Sequence, residues 1–288
     1  MPENLNFATG RSNNLLEVGE NIQKTFPESN SNIYSPEQAI QREIRGLLVA
    51  RKYAGLNAPT VLGHCDNSII MTKIKGESLQ TKLQRLKEQK GIEGYNRLSE
   101  EFFAKLKQFH TSKQINPKYE TKIKDYYFEK YIRDCLAAIQ NIPDQDLTDY
   151  NITKEQLLES VNILVEHQDK IKQIGVGRLH GDPRVANFMV NQDDKLSILD
   201  FEKYSQLGLI IEDIGQIIKH IQKQNMNYND FEESYGMKMS PELIKAIAIT
   251  RSILHIARKK QFVIDQKLPN YTDALETINF FLHNDISS

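Results

Sequence analysis

Residues 179–202 read LHGDPRVANFMVNQDDKLSILDFE, and the order of polar and apolar residues in this stretch decides the fold. Asp182 and Asn187 are close enough in sequence for one tight loop to present both. Asn187 opens an apolar run, Phe188-Met189-Val190, and a polar turn, Asn191-Gln192-Asp193-Asp194, follows it. A second apolar run, Leu196-Ser197-Ile198-Leu199, then delivers Asp200. The pattern predicts a hairpin with oxygen-bearing side chains at the start of one strand and the end of the other. Because a hairpin folds back on itself, Asn187 and Asp200 finish near each other. Two facing oxygen ligands suit Mg²⁺, which favours oxygen donors and keeps waters or phosphates in its shell. A lone His-Gly-Asp is a weak signal, because Asp and Asn are common in turns; the order and spacing of all three groups carry the reading.

The pattern resembles the protein-kinase catalytic loop and its later metal Asp, H-R-D-x-x-x-x-N followed by D-F-G. Here the loop reads His180-Gly181-Asp182 and the second motif Asp200-Phe201-Glu202. Gly in place of Arg and Glu in place of Gly resemble the small-molecule branch: aminoglycoside phosphotransferases, choline and ethanolamine kinases and related metabolite kinases. That resemblance implies Asp182 as the catalytic base for a substrate hydroxyl, Asn187 and Asp200 as Mg²⁺ ligands, and ATP as the donor. Arg184 falls where protein kinases carry a Lys that touches the transferred phosphate, and where the small-molecule branch often has His.

The upstream half supplies what such a site needs. Leu15–Val18 and Ile22–Phe26 flank Gly19-Glu20-Asn21, which predicts a second hairpin. Before it, Gly10-Arg11-Ser12-Asn13-Asn14 resembles the phosphate-covering loop of the choline-kinase-like branch, implying that Ser12 and Asn13 lie on the phosphates. Backbone N–H groups in such a turn point at phosphate oxygens. A helix follows: Ser35 is a good N-cap, Pro36 fits the first turn, and Gln38 completes a capping box. Ile40, Ile44, Leu47 and Leu48 fall on one helical face, with Glu43 at its edge, and Gly55 offers a left-handed stop. By the resemblance, Lys24 on the strand contacts the nucleotide phosphates and Glu43 on the helix holds it. Thr60–His64 and Ser68–Thr72 read as two more strands. Lys73–Leu79 resembles the family's linker, which implies that the backbone from Thr72 to Ile74 hydrogen-bonds adenine.

Further along, Ser99–Thr111 predicts a helix with a stripe of Phe102, Phe103, Leu106, Phe109 and His110, in which core packing is the expected role, His110 included. The segment 114–150 has weak periodicity. Thr153 and Gln156 form a second capping box that opens a helix to about Ile174. Ile211–Ile218 resembles the family's helix whose Asp, here Asp213, braces the catalytic loop. Arg258-Lys259-Lys260 reads as a solvated face.

The net charge of −1, from 37 basic and 38 acidic residues, argues against a nucleic-acid or membrane-surface protein held by bulk charge. Residues 201–288 contain 11 acidic and 10 basic residues, which shows no acidic bias toward a polycationic acceptor. Cys65 and Cys135 are too few to frame a disulfide scaffold. No apolar run approaches the roughly 20 residues that span a bilayer, and the N-terminus has no signal-peptide pattern, so a cytoplasmic location is expected. The expected fold class is α+β, a bilobal protein-kinase-like fold. A small antiparallel-sheet lobe with one main helix would occupy residues 1–74, and a larger, mainly helical lobe residues 75–288. The expected activity is Mg²⁺- and ATP-dependent phosphoryl transfer to a small-molecule hydroxyl. The alternatives are a kinase-like enzyme acting on protein and a nucleotide-binding pseudokinase.

Overall fold

The computed structural model describes residues 14–26, 35–224, 226–260, 271–284 and 286. The chain order begins β1 Asn14–Val18, β2 Asn21–Thr25, α1 Pro36–Lys52, β3 Val61–Cys65, β4 Ser68–Thr72, β5 Glu77–Ser78, α2 Leu79–Glu88 and α3 Ile92–Thr111. It continues with α4 Pro117–Asn141, α5 Asp144–Thr148, α6 Lys154–Glu166, α7 Gln168–Ile174, β6 Val176–Leu179, a short 3₁₀ turn at Val185–Asn187, β7 Phe188–Val190 and β8 Leu196–Ile198. The last elements are β9 Ser205–Leu209, α8 Ile211–Gln224, α9 Tyr228–Tyr235, α10 Pro241–Lys260 and α11 Thr272–His283. A small antiparallel sheet followed by mostly helical chain is the α+β class the sequence predicts.

By packing, the chain forms two compact units: residues 1–105 with 180–205, and residues 106–179 with 206–288. The chain changes unit at three points, after residues 105, 179 and 205, so neither unit is one continuous stretch of sequence and neither ends at the expected boundary of residues 74/75.

In the first unit the strand order is β1-β2-β4-β3, all antiparallel. Gly19, at φ 63°, makes the β1–β2 turn. The Ser35 capping box is formed in both directions, and Gly55 takes φ 62° just beyond the end of α1. The buried face of α1 differs from the expected one: Ala39, Ile40, Glu43, Gly46, Leu47 and Ala50 face inward, while Leu48 is 55% exposed. Glu43 is therefore at the centre of the buried stripe rather than its edge, because it has a cationic partner there. The hairpin β7–β8 forms with Phe188 opposite Ile198 and Val190 opposite Leu196, and β5 adds to its β7 side. Its turn is closed by Asn191, whose Oδ1 accepts from the amides of Asp193 and Lys195 at 2.9 and 2.8 Å. Phe102 of α3 packs edge-on against Phe188 at 4.8 Å.

In the second unit α10 packs against α4, α6, α8 and α11, and β6 pairs with β9. His110 is fully buried there, with Nε2 3.0 Å from Asp213 Oδ2 and Nδ1 3.1 Å from the Tyr235 hydroxyl, which makes it a satisfied core histidine. Other boundaries need correcting. The helix read from Ser99 starts at Ile92. Pro117–Asn141, read as weakly periodic, is a 25-residue helix capped by Asn116. The helix read to Ile174 breaks at His167, whose ψ of 19° leaves the helical region. Arg258 is not simply solvated: it pairs with Glu212 at 2.7 Å. Both cysteines are free thiols, Cys65 exposed and Cys135 buried. Among the described residues, no helix is long and apolar enough to cross a membrane.

Candidate active site

The loop from His180 to Asn187 is tied to the hairpin by its own side chains. His180 is fully buried, with Nε2 2.8 Å from the Leu199 carbonyl and Nδ1 accepting from the Asp182 amide at 3.3 Å. These partners assign the ring proton to Nε2. The ring also packs 4.6 Å from that of Phe201. Asn187 Nδ2 donates to the Asp182 carbonyl at 2.8 Å, and the Leu199 amide donates to the Asn187 carbonyl at 2.9 Å. The loop, the strand start and the residue before Asp200 are thus bonded to one another. Gly181 explains why this position is not Arg: its φ is +85°, and a Cβ there would lie 2.3 Å from the Lys203 carbonyl oxygen. Asp200 itself holds φ +63°, a left-handed conformation uncommon outside glycine and found at functional turns.

Lys24 reaches the same place from β2. Its Nζ lies 2.6 Å from Asp200 Oδ1, 3.1 Å from Glu43 Oε2 and 4.0 Å from Glu202 Oε2. Both Lys24 and Glu43 are buried. Gly46, one turn beyond Glu43 on α1, allows this approach, since a Cβ there would meet Phe201 Cβ at 2.3 Å. Burial disfavours the Lys24 ammonium, but Asp200, Glu43 and Glu202 together outweigh it and hold its pKa above the ordinary value. The same burial pushes the Glu43 carboxyl up to about 7, with Lys24 opposing. Asp200, the closer partner of the shared lysine, is held below its ordinary value by Lys24 against the cost of burial.

Asp182 is clasped by two cations. Lys203 Nζ hydrogen-bonds Oδ2 at 2.9 Å, and Arg184 Nε lies 3.0 Å from Oδ1, as an ion pair whose angle is not that of a hydrogen bond. The Asp182 side chain is 8% exposed, while those of Lys203 and Arg184 are 36% and 40% exposed. Burial raises the Asp182 pKa, but Lys203 and then Arg184 more than reverse this and hold it well below the usual carboxylate range. The sequence gives no signal for Lys203, because nothing local says that a side chain three residues past Asp200 turns back onto residue 182.

The structure therefore brings together Asp182, Asn187, Asp200, Lys24 and Glu43 within one compact unit. Ser12 and Asn13 lie outside the described residues. Thr72 and Ile74 lie at the end of β4 and just beyond it, where the Thr72 amide donates to the Thr60 carbonyl and the Lys73 amide to that of Glu20. Any adenine contact through an amide there falls to Ile74. For a metal, the donor chemistry fits: Asn187 spends its amide nitrogen on Asp182, which leaves Oδ1 as the acceptor, and Asp200 is an ionised carboxylate. Two oxygens suffice for Mg²⁺, which takes the rest of its shell from water and phosphates. Among the described residues, no cluster of three or more His, Cys, Asp or Glu forms a fuller metal cage.

No curated protein matches the sequence significantly. Among solved structures, the gentamicin–APH(2")-IIa complex is similar at a TM-score of 0.56 and 15% identity, covering 95% of this chain and 92% of that one. ADP-bound aminoglycoside phosphotransferase APH(2'')-Ib gives 0.53 at 14% identity, over 94% of each chain. Choline kinase LicA from Streptococcus pneumoniae gives 0.52 at 16% identity, covering 96% and 92%. At such identities these likenesses establish a shared fold, that of small-molecule kinases. The family model described as phosphotransferase enzyme family matches residues 20–243, most of the chain and all of the cluster above, and the protein belongs to that family.

Proposed function

We propose that this phosphotransferase is an ATP- and Mg²⁺-dependent kinase that transfers the γ-phosphate to a hydroxyl of a small molecule. The observation that carries the reading is the buried lysine Lys24, held between a helix glutamate and the aspartate at the end of the hairpin. A cation so placed serves nucleotide phosphates beside a metal ion. The ADP-bound neighbour supports an adenine nucleotide as donor. On this reading residues 1–74 hold nucleotide, with Ile74 and Thr72 beside adenine, Lys24 on the phosphates braced by Glu43, and Ser12 and Asn13 over them. Residues 75–288 supply the catalytic and acceptor-binding groups.

In the mechanism, Asn187 and Asp200 would hold Mg²⁺, which would supply charge neutralisation for the transferring phosphoryl group. Asp182 accepts a hydrogen bond from the acceptor hydroxyl, aims its oxygen at phosphorus and receives its proton. Lys203 and Arg184 hold Asp182 as the ionised carboxylate that receives this proton. In the loose transition state of phosphoryl transfer, positioning and electrostatics dominate. A peptide acceptor is disfavoured, because little more than β9 separates Asp200 from α8 and leaves no docking loop. Near-neutral charge argues against nucleic acid, and dependence on ATP supports a cytoplasmic location. Asp182→Ala should keep its fold by circular dichroism and lose turnover by roughly 10²–10⁴, the range for a general base. Near-normal ADP release from that variant would reject the role.

A further inference from the structure

The two halves of the site carry opposite surplus charge. Around Lys24, one cation faces the carboxylates of Glu43, Asp200 and Glu202, a negative surplus suited to metal cations. Around Asp182, one carboxylate makes direct ion pairs with two cations, Lys203 and Arg184, a positive surplus at contact distance that Glu202 and Asp200 offset more weakly through Lys203. Exposure sharpens the contrast: the Asp182 side chain is nearly covered, whereas both cations stand more than a third open. Within this unit, a molecule bringing a hydroxyl to Asp182 meets ammonium and guanidinium groups before it meets the carboxylate.

We infer that the acceptor carries its own oxyanion, a carboxylate or a phosphate, near the hydroxyl that is phosphorylated, and that Lys203 and Arg184 bind it. This rests on Asp182 being the base. Arg184 offers a planar fork matched to either oxyanion, and Lys203 a mobile point charge. An ammonium-bearing acceptor such as an aminoglycoside or choline would instead set like charges side by side, which disfavours binding. Lys203 retains donors beyond the one it gives the Asp182 carboxylate, and Arg184 is ion-paired to it without a hydrogen bond, so an incoming oxyanion can join the pair without displacing the base.

The test uses the full chain with Mg·ATP and two sets of acceptors matched in skeleton: glycerate, glycerol 3-phosphate, glycerol and 3-amino-1,2-propanediol; and gluconate, glucose 6-phosphate, glucose and glucosamine. Choline and gentamicin are included. The expected result is kcat/KM highest for an anionic member, and the two anionic arms decide between carboxylate and phosphate. A best rate with a neutral or cationic acceptor overturns the inference and leaves the phosphotransferase reading standing. No ADP release with any acceptor, although Mg·ATP binds, overturns that reading, and this one falls with it. Lys203→Gln should cost the anionic acceptor roughly 10–100-fold in kcat/KM beyond its cost to the neutral one, as for a lost hydrogen bond to charge, with Lys203→Arg restoring most of it. An equal loss for both acceptors would mean that Lys203 serves the transferred phosphoryl group or the fold, and overturns the inference.

Discussion

Lys24 has a single positive charge and three carboxylates within 4.0 Å. Asp200 is the nearest, at 2.6 Å, and Glu43 is the most deeply buried. The lysine favours Asp200, so Glu43 feels burial more than attraction, and its carboxyl rises from the ordinary 4.5 to about 7. A carboxyl that binds its proton more tightly when folded contributes stability that is full below about pH 4.5 and is lost as pH rises toward 7. Thermal melts between pH 5 and 7.5 should therefore show wild type losing more Tm than Glu43→Gln. Parallel pH profiles would refute this. Asp182, Asn187 and Asp200 were legible in the sequence because one loop and one hairpin carry them. Lys203 was not, since only the folded backbone, with Gly181 against the Lys203 carbonyl, returns it to Asp182.

At the scale of the element, α1 sets the distance between Glu43 and the 200–202 motif, and Gly46 sets how closely α1 approaches Phe201. Two effects oppose each other in Gly46→Ala. Alanine gains about 1 kcal/mol of helix propensity. The new methyl, however, would sit 2.3 Å from Phe201 Cβ, an atom fixed to backbone that cannot swing aside. Overpacking of this kind costs about 1–3 kcal/mol, so the clash wins. The variant should melt lower than wild type and raise KM for ATP, through a displaced Glu43, more than it changes KM for the acceptor. Steady-state kinetics varying each substrate separately checks this. Capping boxes at Ser35 and Thr153 were readable as local patterns and formed as read. The helix α4 was not, because its buried stripe, Phe128, Tyr131, Cys135, Ala138 and Ile139, covers only the second half, while the first half is rich in charged and aromatic residues.

At the scale of the molecule, a ligand that binds only the folded chain raises its stability by mass action. Mg·ATP at about 100 times its Kd adds about 2.7 kcal/mol, or roughly 5 °C in Tm for a chain of this size. Scanning fluorimetry should show that shift in wild type and little of it in Asp200→Ala, which removes the carboxylate proposed to bind the metal. An unchanged shift in the variant would remove Asp200 from the metal site. By itself the sequence determined what nearest neighbours along the chain decide: the hairpins, the helix caps, the left-handed stop at Gly55, and the spacing that gathers Asp182, Asn187 and Asp200. Tertiary structure alone decided which face of α1 is buried, which carboxylate Lys24 favours, and that two cations close on Asp182. Those outcomes depend on competition among charges brought together from distant positions, Lys24 and Asp200 being 176 residues apart. Such a competition is settled by distance and burial in space, quantities that no local pattern contains.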